Sequence, residues 1–254
     1  MGLFSKKTCS VCGGEIGLLG NRKLEDGNLC KNCAAKLSPW FSERRQSTVA
    51  QIKEQLEYRA KNMEELRSFT PTMTLGEDTK FIVDEDKGKF VVTSARDIYA
   101  DNPDLLNFSM VTGARLDIDE EADEEMREKP DGGEESYNPP RFRYSYGFNV
   151  VISLNHPYFN EIRFMLNSSD VETTETAVPT IRKPDPKSCR DYVEYESMGN
   201  EIVEILRTGR SGIRNKAEAE NAPKAPTVCP YCGATTVPDK NGCCEYCGKP
   251  LPKA

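Results

Sequence analysis

Eight of the ten cysteines in this 254-residue sequence occur as Cys-x-x-Cys pairs near its two ends. A Cys-x-x-Cys turn directs both sulfurs at one centre, and two such turns brought together provide a tetrahedral site with four thiolates. Zinc is the usual ion of these closed sites, which are structural because no coordination position stays open for a substrate. The sequence therefore predicts two structural zinc ions, the first bound by Cys9, Cys12, Cys30 and Cys33 and the second by Cys229, Cys232, Cys244 and Cys247.

Other kinds of cysteine chemistry fit this pattern less well. Disulfide scaffolds are typical of short secreted chains, whereas this chain is long and begins without the apolar segment of a secretory signal. A thiol–disulfide catalyst would place one pair at the start of a helix within a β-α-β unit, and neither cysteine run lies in such a pattern. We therefore expect metal-bound thiolates in a reducing compartment, the cytoplasm.

The two cysteine modules differ in their expected folds. The final module, at 227–254, is too short to bury a core of its own, so the metal would hold it together as a zinc ribbon. Cys243 adjoins Cys244 and is an alternative ligand, but only Cys244 keeps the two-residue spacing to Cys247. The first module, at 1–38, continues after its last cysteine into a helix start. This order is typical of a treble clef, with a plain ribbon as the alternative.

Residues 39–70 predict a connecting helix, which we place at 42–68. Ser42 would cap its start, and Arg45 three residues later excludes a capping box. Apolar residues then recur at steps of three or four, as on one face of a helix, and Pro71 ends the pattern. This stripe would pack on the following domain or pair with a second copy of the chain as a homodimer. Its members are Val49, Ile52, Leu56, Ala60, Met63 and Leu66.

Residues 71–207 predict a β-rich domain. The segment at 80–93 is typical of two strands joined by a turn at Gly88, and the segment at 141–167 of two more. His156, the single histidine, lies in the second turn, and we interpret it as a turn residue rather than a general base. We expect Trp40 to pack between the first module and the connecting helix.

The acidic residues are concentrated in one stretch of this domain. Residues 117–135 hold 11 acidic side chains against Arg127 and Lys129. Runs of like charge are usually solvated, so we expect an acidic loop inserted at 117–138. Its spacing is not that of a calcium-binding loop.

The chain after this domain changes composition twice. A helix is predicted at 188–207, with Cys189 on its apolar face as a small core residue. Residues 208–226 are rich in Gly, Ser, Asn, Ala, Lys and Pro and predict a flexible linker. The final zinc ribbon would follow this linker, which completes an α+β chain of several small domains.

Three resemblances support this division. The run "CSVCGGEIGLLGNRKLEDGNLCKNCAAKL" from Cys9 to Leu37 resembles a bacterial zinc-module family known only as a domain of unknown function. This resemblance implies metal ligation by its four cysteines and nothing about activity. The run "CPYCGATTVPDKNGCCEYCGKPL" from Cys229 resembles the double-zinc-ribbon class. The segment "LLNFSMVTGARLDIDE", with its neighbouring strands and one later helix, is similar to bacterial pleckstrin-homology-like domains, in which the last helix caps a bent sheet.

Composition and architecture favour a non-enzymatic adaptor or scaffold that binds protein partners and associates with a membrane surface. The net charge of −7 argues against general attraction to a polyanion. The first sixty residues nevertheless hold ten Lys or Arg against six Asp or Glu, so nucleic-acid binding by the first module is the alternative. An enzyme would need a site built from carboxylates and tyrosines of the central domain, and the sequence has no glycine-rich phosphate loop or nucleophile elbow.

Overall fold

A computed structural model describes residues 7–173, 179–221, 226–237, 239 and 243–251. The chain combines helices and sheets, as predicted, and divides into two compact units, 1–211 and 212–254. Among the described residues, no helix has both the length and the apolar character needed to cross a bilayer.

The first cysteine module consists of two small hairpins and one turn of helix. Its strands are too short to bury a core alone, and Ile16, Leu24 and Leu29 complete one by packing with Ile52, which lies well beyond the last cysteine. The module therefore extends past the boundary predicted at residue 38. Its elements are β1 (Lys7–Thr8), β2 (Glu15–Ile16), β3 (Arg22–Lys23), β4 (Asn28–Leu29) and α1 (Lys31–Ala34).

The connecting helix, α2 (Val49–Leu66), begins later than predicted. A separate 3-10 helix covers Glu43–Gln46. The backbone N–H of Gln51 donates to the Thr48 hydroxyl at 3.3 Å, and the Thr48 N–H donates to Oε1 of Gln51 at 2.8 Å. This reciprocal pair is a capping box. The predictions that Ser42 caps the helix and that it lacks a capping box were therefore wrong.

The buried face of α2 is also more polar than the predicted stripe. Ile52 and Leu66 are buried as expected, but Ala60 and Met63 are exposed. Gln55, Arg59 and Asn62 take the intervening buried positions. Other parts of the same chain cover this face. The burial therefore favours packing on the following domain, the first alternative, over pairing with a second copy of the chain.

A buried hydrogen-bond network explains those polar residues. The Arg59 guanidinium donates to Asp104 Oδ1 at 2.7 Å, to the carbonyl of Lys36 at 3.3 Å and to the carbonyl of Asn102. The Ser38 hydroxyl donates to the second Asp104 oxygen at 2.8 Å. Arg59 thus ties the end of the first module to the loop that precedes Leu105.

That loop leads into a four-stranded antiparallel sheet, whose strands pair in the order in which they occur in the sequence. The two strands predicted at 80–93 are confirmed, with Gly88 in the turn between them. Leu66 at the end of α2 and Phe69 just after it pack with Ile82 and Val91 of this sheet. The elements are β5 (Met73–Leu75), β6 (Lys80–Asp84), β7 (Lys89–Thr93), α3 (Ile98–Asp101) and β8 (Leu106–Asn107).

A second antiparallel sheet is built on its central strand, β12 (Phe142–Leu154). The prediction that the acidic residues 117–138 form a loop was wrong. Residues 111–124 form a strand that pairs with β12 along its length, and residues 126–136 form a hairpin. Arg163 lies on the strand that pairs with the other side of β12. It binds Asp117 and Asp119, each at 2.9 Å, which reduces the repulsion between these carboxylates. The strands are β9 (Val111–Glu124), β10 (Met126–Glu128), β11 (Glu134–Ser136), β12 (Phe142–Leu154), β13 (Glu161–Met165) and β14 (Val171–Glu172).

Helix α4 (Arg190–Asn221) packs on this second sheet and is longer than predicted. The ring of Tyr192 meets those of Tyr146 and Phe148 with centroids 5.0 and 5.1 Å apart. A Cβ at Gly209 would lie 2.8 Å from the ring of Phe108, so the helix needs glycine there. Since the helix runs through residue 221, the flexible linker predicted at 208–226 was wrong over most of its length.

Cys189 lies between a 3-10 helix, Pro186–Ser188, and the start of α4, rather than on the apolar face of a helix. It is half-buried, and its sulfur lies 3.6 Å from the carbonyl oxygen of Glu172. The second unit contains one described hairpin of two short strands, β15 (Thr227–Val228) and β16 (Thr235–Thr236).

The Arg59 network predicts a large effect of one isosteric change. Asp104→Asn would leave the buried guanidinium without its counter-charge and should lower the free energy of unfolding by about 3–5 kcal/mol. Glu64→Gln, which breaks an exposed pair with Arg67 on the same helix, should change it by less than about 1 kcal/mol. Urea denaturation measures both changes, and equal small effects would contradict the structural role of the network.

Two glycines of α4 should respond to alanine with opposite signs. Gly209→Ala would drive a methyl group into the buried Phe108 ring and should destabilise the fold by about 1–3 kcal/mol. Gly212→Ala meets open space and should stabilise the helix by up to about 1 kcal/mol. Thermal unfolding of the two variants tests this, and stabilisation by both would show that α4 does not pack closely on Phe108.

Candidate metal centres

The structure brings the four cysteines of the first module to one point. The sulfurs of Cys9, Cys12, Cys30 and Cys33 all lie within 4.8 Å of one another. Sγ of Cys12 and Sγ of Cys30 are 3.8 Å apart, which is too far for the disulfide length of about 2.05 Å. Tetrahedral zinc with Zn–S bonds of about 2.3 Å requires sulfurs about 3.8 Å apart. This quartet therefore has the size of a zinc site.

The second quartet has the same dimensions. Cys229, Cys232, Cys244 and Cys247 also lie with their sulfurs within 4.8 Å of one another. The separations are 3.6 Å between Cys229 and Cys247 and 3.8 Å between Cys232 and Cys244. Two Cys-x-x-Cys turns thus face each other across the space that one ion would fill.

Three of the four turns share one backbone conformation. The N–H of Gly13 donates to the carbonyl of Cys9 at 2.8 Å, and Gly233 and Gly248 repeat this bond to the first cysteines of their turns at 2.9 and 2.8 Å. All three glycines have φ between 70° and 72°, which favours residues without a Cβ. The glycine after each of these pairs therefore shapes the turn that orients the sulfurs.

The fourth turn, Cys30–Cys33, replaces glycine with a helix. Cys30 is the N-cap of α1, and its sulfur accepts the backbone N–H of Cys33 at 3.4 Å. Ala34 can follow directly because the chain continues in the right-handed helical region. The first module thus has a hairpin, β3–β4, between its two Cys-x-x-Cys turns, and its second turn opens helix α1. The sequence predicted this order.

The electrostatics of the first quartet favour a bound cation. Burial raises the pKa of Cys9, but backbone N–H groups of Cys12, Cys30 and Val11 outweigh it and lower this pKa to about 6. Burial, together with contacts to the neighbouring cysteines, raises the pKa of Cys33. Four crowded sulfurs cannot all ionise without a counter-charge, and a divalent ion would supply one.

Two cysteines remain outside the quartets. Cys243 adjoins the second quartet, but Cys244 is the member that converges, as its spacing predicts. The backbone N–H of Cys243 instead donates to Asp239 Oδ1 at 2.7 Å. Cys189 lies in the first compact unit, far along the chain from any other cysteine.

His156 lies among aromatic side chains, and its predicted placement in a turn is correct. It lies between β12 and β13, is 9% exposed and stacks on Phe159 at 4.0 Å between ring centroids. Its Nε2 is 2.9 Å from the Tyr58 hydroxyl, and its Nδ1 accepts the N–H of Tyr158. Burial lowers the pKa of His156 to about 4. Trp40 lines the groove above this cluster and is partly exposed.

Ile52 is the part of the first module that the cysteine spacing does not reveal. It is fully buried against the module's own leucines, although 19 positions separate it from Cys33. The apolar period of the helix did mark Ile52 as buried, but a period does not show which core a residue joins.

Comparison with known families agrees with this extended module. A family described as "Domain of unknown function (DUF4428)" matches residues 8–55, which include the first quartet and Ile52. No curated protein matches the chain. No solved structure matches it. The similarity therefore covers residues 8–55 and indicates no activity for the chain.

Proposed function

We propose that this chain is a non-enzymatic zinc-binding adaptor, in which two structural zinc ions hold two modules for protein partners. The observation that carries the zinc sites is the convergence of each cysteine quartet at tetrahedral spacing. Both sites are all-cysteine, which suits a closed, structural ion. The first would be a treble clef and the second a zinc ribbon.

The adaptor role rests on the arrangement of these modules along the chain. The first module shares its core with α2 and, through Arg59, is tied to the central domain. The second lies in a separate compact unit. Tyr231 and Tyr246 occupy the same position in its two Cys-x-x-Cys turns and are 58% and 74% exposed. Aromatic residues are enriched at protein interfaces, so this pair is the surface we assign to a protein partner.

The central domain would be pleckstrin-homology-like. Its two four-stranded antiparallel sheets and the helix packed against one of them support this interpretation. A fold of this kind does not itself specify a ligand.

The basic residues of the first module favour a second candidate, nucleic-acid binding. Arg22, Arg44 and Arg45 lie close enough for their charges to interact. Affinity for single- or double-stranded nucleic acid that falls steeply with salt would support this alternative. Absence of binding at low salt would exclude it.

Metal analysis tests the two sites separately. Protein purified under reducing conditions should hold two zinc ions per chain, and Cys30→Ser or Cys247→Ser should each reduce this to one. Cys189→Ser is the matched control and should retain both ions, because its sulfur lies outside the quartets. Less than one ion per intact chain would overturn the zinc proposal.

Affinity capture from the native host tests the adaptor role. The intact chain should recover a defined protein that is lost with Cys247→Ser, which dismantles the second module, and with a Tyr231→Ser, Tyr246→Ser double variant that keeps both zinc ions. Cys243→Ser, beside the quartet but not in it, should recover the protein normally. Recovery that does not depend on the second module would contradict this role.

A further inference from the structure

The turn between β2 and β3 presents two leucines to solvent. It spans residues 17–20, and the N–H of Gly20 donates to the carbonyl of Gly17 at 3.0 Å. Leu18 and Leu19 occupy its two central positions and are 88% and 90% exposed. These are the most exposed large apolar side chains in the described part of the chain. Tight turns usually place Gly, Pro, Asn, Asp or Ser there, so this apolar tip needs an explanation.

The folding of the module does not supply one. Ile16, Leu24, Leu29 and Ile52 form the core, and neither leucine of the tip belongs to it. The hydrogen bond that closes the turn uses only backbone atoms, which polar side chains at its centre would leave intact.

Arginine side chains lie on one side of the base of the tip. The Arg22 guanidinium donates to the carbonyl of Leu19 at 3.3 Å, and Arg44 donates to the carbonyl of Lys23 at 2.9 Å. Burial and the positive charges of Arg22 and Arg45 lower the pKa of Arg44. Within the described residues, no salt bridge to Asp or Glu neutralises these three arginines.

This charge is local to the module. Residues 7–47 hold seven Lys or Arg and four Asp or Glu, a net charge of +3 in a chain of net charge −7. An apolar tip with arginines at its base is complementary to a bilayer with anionic headgroups, which accepts leucine between its acyl chains and binds arginine through phosphate. Nucleic acid would use the arginines but leave the leucines exposed to water.

We propose that the Leu18–Leu19 turn inserts into the interface of an anionic lipid bilayer while the arginines at its base bind lipid phosphates. The bilayer would be one partner of the adaptor, and this role rests on the proposed function only because it requires a folded, metal-bound first module. The second module is left free for a protein partner.

Vesicle co-sedimentation of the full, zinc-loaded chain tests the proposal. The probes are vesicles of phosphatidylcholine alone and of phosphatidylcholine mixed with phosphatidylglycerol. We expect binding to the mixed vesicles, weaker at high salt and much weaker to phosphatidylcholine alone. A Leu18→Ser, Leu19→Ser variant should lose at least about tenfold in lipid partitioning. Arg22→Gln and Arg45→Gln should each lose about fivefold.

The controls separate this proposal from loss of the zinc site. Val193→Ser changes an exposed apolar residue of α4 and should bind as the unaltered chain does. Each variant is used only after metal analysis shows two zinc ions. Unchanged binding by the leucine variant, or equal binding to both kinds of vesicle, would overturn the proposal. If vesicle binding depends on the arginines alone and the chain binds RNA equally well, the surface around the Leu18–Leu19 turn would be a nucleic-acid site instead.

Discussion

The buried guanidinium of Arg59 joins parts of the chain that are distant in sequence. It contacts the end of the first module through Lys36, and the loop after α3 through Asn102 and Asp104. A buried cation is costly unless its donors are satisfied, so these three acceptors must be in place together. Arg59 therefore links the first module to the loop that leads into the β5–β8 sheet.

The cysteine quartets impose a constraint of a different kind. Each organises a short segment whose apolar surface is small, because strands of two residues cannot form a core. In the first module, leucines and Ile52 add a small apolar core beside the cysteine quartet. In the second, Cys229 and Cys244 are buried with Leu251 as the described cluster. A bound metal ion would therefore contribute more to the folding of the second module than to that of the first.

Features set by local chemistry could be predicted from the sequence. The cysteine spacing identified both quartets, and the strands at 80–93 follow from apolar runs around Gly88. Features set by distant partners could not. Residues 117–124 are mostly acidic, and they form a strand that pairs with β12 and makes ion pairs to Arg163. Gly209 weakens a helix locally, but the Phe108 ring requires it.

Ile52 has a consequence for how the first module can be separated from the rest. A fragment that ends at residue 38 would contain every cysteine of its quartet and still leave Leu24 and Leu29 without the side chain that covers them. The smallest piece that could be grafted onto another protein must therefore include the opening turns of α2. The region of family similarity, which ends at residue 55, has the same extent. The family match therefore covers the cysteine quartet together with the first turns of α2, rather than the cysteine run alone.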